Sequence, residues 1–387
     1  MVQPMHPFVF KPVTLPAGTE ALRQHIRQFL KAEIDAGTFV PSRNTWSNTN
    51  TAFSRKCGQA GFIGMVWPKQ YGGHERSALE RYVMTEEMLA AGAPVGAHWV
   101  ADRQSGHQIL RHGSERARQT ILPRIAAGEC YFAIGMSEPD SGSDLAAVRT
   151  RAVACEGGWK ISGTKVWTSY AHHCHYLIAL ARTAPKEEDR HAGMTQFIVD
   201  LSQPGVTLRP IYNIFGAHDW NEVVFDEYFV PDDMVMGQVG TGWDMVTGEL
   251  AFERSGPDRF LSTYQLLIES IRQLGDQPGE RALNEVGRMV AHLATLRCMS
   301  TSVAGMLDAG AKPVLEAALV KDVGTTLERE IPEVFRHLLP GEPIMDDESS
   351  DYQALLGMGT LKSPGFTLRG GTREILRGMI AKGLGLR

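Results

Sequence analysis

Apolar residues recur at helical spacing early in the chain. Leu22, Ile26, Phe29, Leu30 and Ile34 share one face, with Thr19 placed as N-cap and Gly37 as the stop. Residues 1–18 are Pro-rich and read as an extended arm, and 41–51 as a polar connection. Further helices are predicted over 53–61, 79–91, 104–112 and 115–127, with a loop at 67–73. After Gly128 the period drops to two. An apolar run at 131–134 reads as a buried strand. Residues 149–155 alternate up to the turn signal Gly157-Gly158, and 159–161 meet a second turn at Ser162-Gly163. Strands follow at 176–181, 196–200, 206–210 and 222–230, which is the spacing of a small antiparallel barrel or sandwich. From Gly240 the helical period returns, over 243–252, 260–274, 282–307 and 313–338. Gly256-Pro257 should break the first of these, because proline lacks an amide donor and clashes with the preceding turn. A loose stretch at 340–350, a Gly-rich loop at 369–372 and a last helix at 373–382 complete the pattern.

Composition narrows the class. At 387 residues the chain can bury a large core and hold two or three domains. With 43% apolar and 21% charged residues it is globular rather than disordered. A net charge of −5 argues against general binding to nucleic acid or to a membrane surface, so an anionic substrate needs a local basic pocket. The five cysteines, at 57, 130, 155, 174 and 298, form no CxxC pair, which suits reduced thiols in a cytoplasm. Residues 1–14 lack the apolar stretch of a signal peptide, and no run of about 18 apolar residues predicts a membrane span. His172, His173, Cys174 and His175 are metal-ligand types. Consecutive side chains on a strand face opposite ways, however, and no second ligand pair with zinc-like spacing exists, so a metal site is not expected.

The stretch from Gly135 to Asp144, Gly-Met-Ser-Glu-Pro-Asp-Ser-Gly-Ser-Asp, carries the chemistry. It leaves a buried strand and turns tightly, exposing backbone amides able to hold an anion. Downstream comes Lys165-Val166-Trp167-Thr168-Ser169. The two stretches at this spacing resemble the flavin-binding segment of the acyl-CoA dehydrogenase family. Phe229-Val230-Pro231, Glu253-Arg254 and Gly371-Thr372-Arg373-Glu374-Ile375 occur in family order, and the resemblance spans roughly residues 19–387.

The resemblance implies an α+β fold: an N-terminal helical bundle over 1–130, a middle antiparallel β-barrel over 131–236, and a C-terminal four-helix bundle over 237–387. It implies FAD as cofactor, an acyl-CoA substrate, an electron-transfer flavoprotein or similar acceptor, and an oligomer, with neither nucleic acid nor membrane insertion. Desaturating an acyl thioester needs a base for the α-proton, donors to the thioester carbonyl and a hydride acceptor, and no side chain accepts a hydride. Carried over by motif, Ile134, Met136, Ser137, Gly142 and Ser143 contact the flavin; Trp167, Thr168 and Ser169 pack on and hydrogen-bond its ring; and Gly371 and Thr372 complete its site. Ser143 also faces the coenzyme A part of the substrate.

Two departures from the family pattern matter. Many members carry the catalytic Glu just before the Gly-Thr of the terminal loop, where this chain has Gly370. A smaller group, which includes the isovaleryl-type enzymes, places it on a helix directly before an Arg, and here that position is Glu253, followed by Arg254. Glu253 is thus the expected base, Arg254 a substrate-positioning residue, and the Gly370 N–H a donor to the thioester carbonyl. The trans-acting Arg-x-x-Phe-Gly segment of homotetrameric members is replaced by 275–280, and the Gln-rich Gly-Gly segment is reduced to Leu356-Gly357-Met358-Gly359. What remains looks more like subunits of heteromeric dehydrogenases for steroid side-chain and other bulky acyl-CoAs. Three readings stay open: a dehydrogenase, a subunit that completes a partner's site without chemistry of its own, and a flavin oxidase.

Overall fold

A computed structural model describes residues 8–386 apart from 42, 44, 186–188, 345, 347 and 348. The chain divides into two compact units, each assembled from separated stretches. One comprises Thr49–Arg76 and Val95–Glu249; the other comprises Met1–Asn48, Ser77–Pro94 and Leu250–Arg387.

The first unit holds the sheet. Helix α2 (Thr51–Gln59) starts at Asn50, whose side chain accepts the Phe53 amide. A further helical stretch runs through α4 (Gly96–Val100), a π-helical turn (Ala101–Ser105) and α5 (Gly106–His112), and α6 (Glu115–Ala126) follows. The π turn is buried throughout despite Asp102, Arg103 and Gln104, so it escaped a search for apolar periodicity. The strands are β1 (Phe132–Gly135), β2 (Arg151–Cys155), β3 (Gly158–Ser169), β4 (Tyr176–Arg182), β5 (Met194–Asp200), β6 (Val206–Tyr212), β7 (His218–Pro231) and β8 (Val235–Met236). They form one sheet in the order β6-β7-β3-β2-β4-β5-β8, with β1 added in parallel to β4. Most other pairs are antiparallel, and inward residues such as Ile161, Leu177, Phe197, Val223 and Val230 make the core.

The expected turn at Ser162-Gly163 is instead a bulge within the continuous strand β3. Gly163 has φ +148°, and a Cβ there would stand 2.6 Å from Thr150 Oγ1, so glycine serves close approach rather than chain reversal.

The second unit is helical. It holds α1 (Thr19–Asp35), α3 (Ala78–Ala90), α8 (Tyr264–Leu274), α9 (Glu280–Asp308), α10 (Val314–Leu338), α11 (Asp351–Phe366) and α12 (Arg373–Gly383). Helix α10 packs against α8, α9, α11 and α12. Gly18, not Thr19, occupies the N-cap of α1. Glu86 and Glu87 of α3 join α1 and α9 through Arg23, Arg27 and Arg297. Helix α11 was missed by periodicity because its buried residues include Gly357 and Gly359 among Ala and Leu, leaving no polar stripe to mark a face. Between the stretches, α7 (Gly242–Arg254) ends just before a 3-10 turn at Pro257–Arg259, as Gly256-Pro257 requires. Helices, then a sheet, then helices is the α+β order expected from the sequence.

Candidate active site

In the sheet unit, strand β1 delivers the chain into 136–144, and a buried ion pair fixes the turn. Lys165 Nζ lies 2.8 Å from Glu138 Oε1 and donates to the Met136 carbonyl at 3.1 Å. Glu138 also accepts the Arg149 and Thr150 amides, at 2.6 and 2.9 Å. Burial pushes the Glu138 carboxyl up, but Lys165 and the hydrogen bonds from Thr150 and Arg149 outweigh it and hold the group below its ordinary value. Burial lowers the Lys165 ammonium to about 8 even with Glu138 beside it. The Glu138 and Ser141 backbones bond each other reciprocally, and Val166 N–H donates to the Ser137 carbonyl.

The loop is therefore held from below while its far side stays open. Ile134, Met136 and Ser137 are half-buried, and Gly142 and Ser143 are exposed. Among the described residues neither the Gly142 nor the Ser143 N–H donates to a protein acceptor, and a Cβ on Gly142 would meet nothing within 4 Å.

Strand β3 separates the three residues of its motif. A register shift between Lys165 and Thr168 puts Trp167 at φ +60° with 58% of its surface exposed, edge-on to Trp220. Ser169 is exposed as well. Thr168 turns inward and has no exposed surface, so its side chain belongs to the strand rather than to an open face. Buried Asn221, which sequence reasoning missed, donates to the Thr168 carbonyl at 3.1 Å and contacts His172 Nδ1 at 3.1 Å. The His172 and His218 rings stack 3.6 Å apart, and burial, then His173 and His218, push His172 down to about 4. No group of three or more His, Cys, Asp or Glu placed to hold a metal occurs among the described residues.

In the helical unit, the end of α7 meets the terminal loop. Arg254, 3% exposed, donates from Nε to the Gly370 carbonyl at 3.1 Å and reaches Met379 Sδ at 3.3 Å. Arg259, on the Pro257–Arg259 turn, holds Glu253 twice: Nη2 lies 2.9 Å from Oε1, and Nε donates to the backbone carbonyl at 3.0 Å. The same Nε lies 3.2 Å from Asp258 Oδ2. Gly370 and Gly371 both adopt left-handed backbone, φ +67° and +96°. A Cβ at Gly370 would stand 2.6 Å from Glu253 Oε1, so the Glu253 carboxylate already fills the space where a side chain at 370 would begin. A Cβ at Gly371 would stand 3.0 Å from Arg254 Nη2. Thr372 caps α12, its hydroxyl accepting the Ile375 amide. Arg288 is engaged by Glu285 and Glu330. The same unit has a shallow recess lined by residues including Trp46, Leu89, Leu261, Met358 and Phe366 but not by Glu253 or Gly370.

These geometries coincide with a family shown by comparison. The profile described as "Acyl-CoA dehydrogenase, N-terminal domain" matches residues 17–129, and that described as "Acyl-CoA dehydrogenase, middle domain" matches 133–228. The chain belongs to the acyl-CoA dehydrogenase family. Acyl-CoA dehydrogenase FadE29 of Mycobacterium tuberculosis is 33% identical over 345 residues, covering 85% of this chain and 86% of that protein. Acyl-CoA dehydrogenase FadE34 of the same organism is 31% identical over 330 residues; the match covers 84% of this chain but only 44% of FadE34. Among solved structures, the "Tcur3481-Tcur3483 steroid ACAD" superposes with a TM-score of 0.85 at 25% identity, over 96% of this chain and 98% of the matched one.

Proposed function

We propose that this chain is an FAD-dependent acyl-CoA dehydrogenase in which Glu253 removes the α-proton of an acyl-CoA thioester. The observation that carries the reading is the 2.6 Å between Glu253 Oε1 and the Cβ position of Gly370. The family's two base positions converge on one point, and in this chain the helix supplies the carboxylate while the loop vacates the space. Arg259 holds the carboxylate against the loop, and Arg254 fixes the loop carbonyl. The backbone N–H of Gly370 donates to the thioester carbonyl and so acidifies the α-proton.

The residues on the sheet side fit a flavin. The exposed Trp167 ring offers a stacking face, exposed Ser169 a hydroxyl, and the Gly142 and Ser143 amides donors next to open space. Ile134, Met136 and Ser137 are half-buried on the same stretch, and the family pattern adds Gly371 and Thr372. A flavin held by these residues would supply the hydride acceptor, which no side chain provides. An electron-transfer flavoprotein or similar carrier then takes the electrons, in the cytoplasm, to which the unpaired cysteines are suited.

The substrate is a bulky branched, cyclic or steroid-derived acyl-CoA. The heteromeric subunit pattern of the sequence and the likeness to a protein described as a steroid ACAD support this class. The segment at 275–280 lacks the trans-acting arginine, so a related partner subunit supplies that grip. Such a contact is charge-assisted, worth about 1.5–3 kcal/mol. Anaerobic flavin bleaching by a panel of acyl-CoAs tests the reading. Glu253→Gln should abolish bleaching while leaving flavin content intact, and normal bleaching by that variant would sink the assignment. Native mass spectrometry of the chain expressed alone tests assembly: a homo-oligomer with one FAD per subunit would remove the need for a partner.

A further inference from the structure

Gly370 and Gly371 form an unusual loop, because both of their carbonyls end on buried cations. The Gly370 oxygen accepts from Arg254 Nε at 3.1 Å and the Gly371 oxygen from Lys321 Nζ at 2.7 Å. Lys321, in the middle of α10, has no exposed surface. Neither glycine N–H has a hydrogen-bond partner among the described residues. In a trans peptide the C=O and the next N–H point in opposite directions, so the bond to the Gly370 oxygen aims the Gly371 N–H and the bond to the Gly371 oxygen aims the Thr372 N–H. The preceding residue is tethered too: Arg369 donates to the Asp258 carbonyl and Ser262 and lies 3.3 Å from Glu328. Gly370 is thus flanked by a tethered side chain on one side and a tethered carbonyl on the other.

No role for Lys321 was visible in the sequence. Resting on the dehydrogenase reading above, we infer that Lys321 is a positioning residue: its ammonium holds the Gly371 carbonyl so that the loop amides meet the thioester carbonyl of the substrate, and losing that ammonium relaxes the loop. It touches neither substrate nor flavin and acts through the peptide it holds.

The surrounding charge makes the device sensitive to pH. Arg254 and Glu253 face Lys321 from α7, Arg259 from the 257–259 turn and Arg369 from the loop. Asp258 pairs with Arg259, and buried Glu328 with Arg369. On α10 itself, Asp322 is occupied by Arg373 and Arg377 of α12. Burial first, then Arg259, push the ammonium down to about 7. The charge-assisted bond, roughly twice as strong as a neutral one, is present below that value and lost as pH rises through it.

The test uses FAD-loaded wild type, Lys321→Met and Lys321→Arg. One readout is the rate of flavin reduction on both sides of neutrality. The other is calorimetric affinity, on the acid side, for an acyl-CoA thioester against the matching CoA thioether, which lacks the carbonyl. Wild type should slow as pH rises through neutrality and should prefer the thioester. Lys321→Met should react about a hundredfold more slowly on the acid side, the scale of a misplaced reacting group. It should lose both the alkaline limb and the thioester preference while binding the thioether as wild type does. Lys321→Arg, whose charge does not titrate in this range, should keep its rate into alkali. A Met variant with the wild-type pH profile and thioester preference would overturn the assignment. Should the Met variant fail to fold, an Arg variant with an unchanged alkaline limb would overturn it equally. Wild type that binds neither CoA compound would overturn the dehydrogenase reading itself, and this assignment with it.

Discussion

Each unit of the molecule contains a glutamate paired with a buried cation, and the two pairs do different things. In the sheet unit, Glu138 is enclosed: Lys165 and the Thr150 amide share one oxygen and the Arg149 amide takes the other. Both oxygens accept structural donors, so the carboxylate serves to hold the loop in shape. In the helical unit, Arg259 grips Glu253 Oε1, and the same oxygen sits where a side chain on Gly370 would begin. Glu253 retains 13% side-chain exposure against 6% for Glu138. Burial and an ion pair therefore do not distinguish a base from a pin. The distinction lies in whether the remaining surface of the carboxylate faces fixed N–H groups or a loop without side chains.

Breaking the pin should have the largest effect. Lys165→Met leaves a buried, uncompensated carboxylate, and removing one partner of such a pair costs about 3–5 kcal/mol. Urea unfolding should show that loss. A change within the usual surface range would mean Glu138 is not the closed pair described.

Next in size is the proposed base. Glu253→Gln should lower turnover by roughly a hundredfold or more, about 2.7 kcal/mol in the barrier at 1.36 per tenfold. Its unfolding midpoint should move less than that of Lys165→Met, since Arg259 keeps Asp258. Stopped-flow reduction and denaturation of both variants would place the two glutamates in opposite quadrants, chemistry against stability. A common quadrant would erase the contrast.

Two glycine substitutions sharpen the same contrast more finely. Gly370→Ala puts a methyl 2.6 Å from Glu253 Oε1 at φ +67°, a strain of about 1–3 kcal/mol. Turnover should fall about tenfold or more. Gly142→Ala meets nothing within 4 Å, and its stability should stay within about 0.5 kcal/mol. Equal effects of the two on urea stability would contradict the packing described.

The smallest effect is in acid. The folded Glu138 carboxyl lies below its ordinary 4.5, so its stabilisation is complete above that value and is lost as pH falls through the lowered one. Unfolding followed across acid pH should steepen there in wild type and flatten in Lys165→Met.

The sequence determined the order of helices, sheet and helices, because apolar periodicity of 3.6 and then 2 is written along the chain whatever the packing partners. It also determined the two motif stretches at 135–144 and 165–169 and the coincidence of Gly370 with Glu253-Arg254, since those are residue types in a fixed order. Tertiary structure alone decided the rest. Helix α11 and the π turn, buried without a polar stripe, offered no period to read. The Ser162-Gly163 pair reads as a turn until Thr150 is brought against it and makes it a bulge. Thr168 differs from Trp167 and Ser169 because a register shift, invisible in a motif, turns one side chain inward. Arg259 and Lys321 lie 6 and 68 positions from Glu253 in the chain. Their relation to it comes from a backbone turn and a helix packed across the loop. Charge partners at such separations are set by three-dimensional proximity, for which local pattern carries no signal.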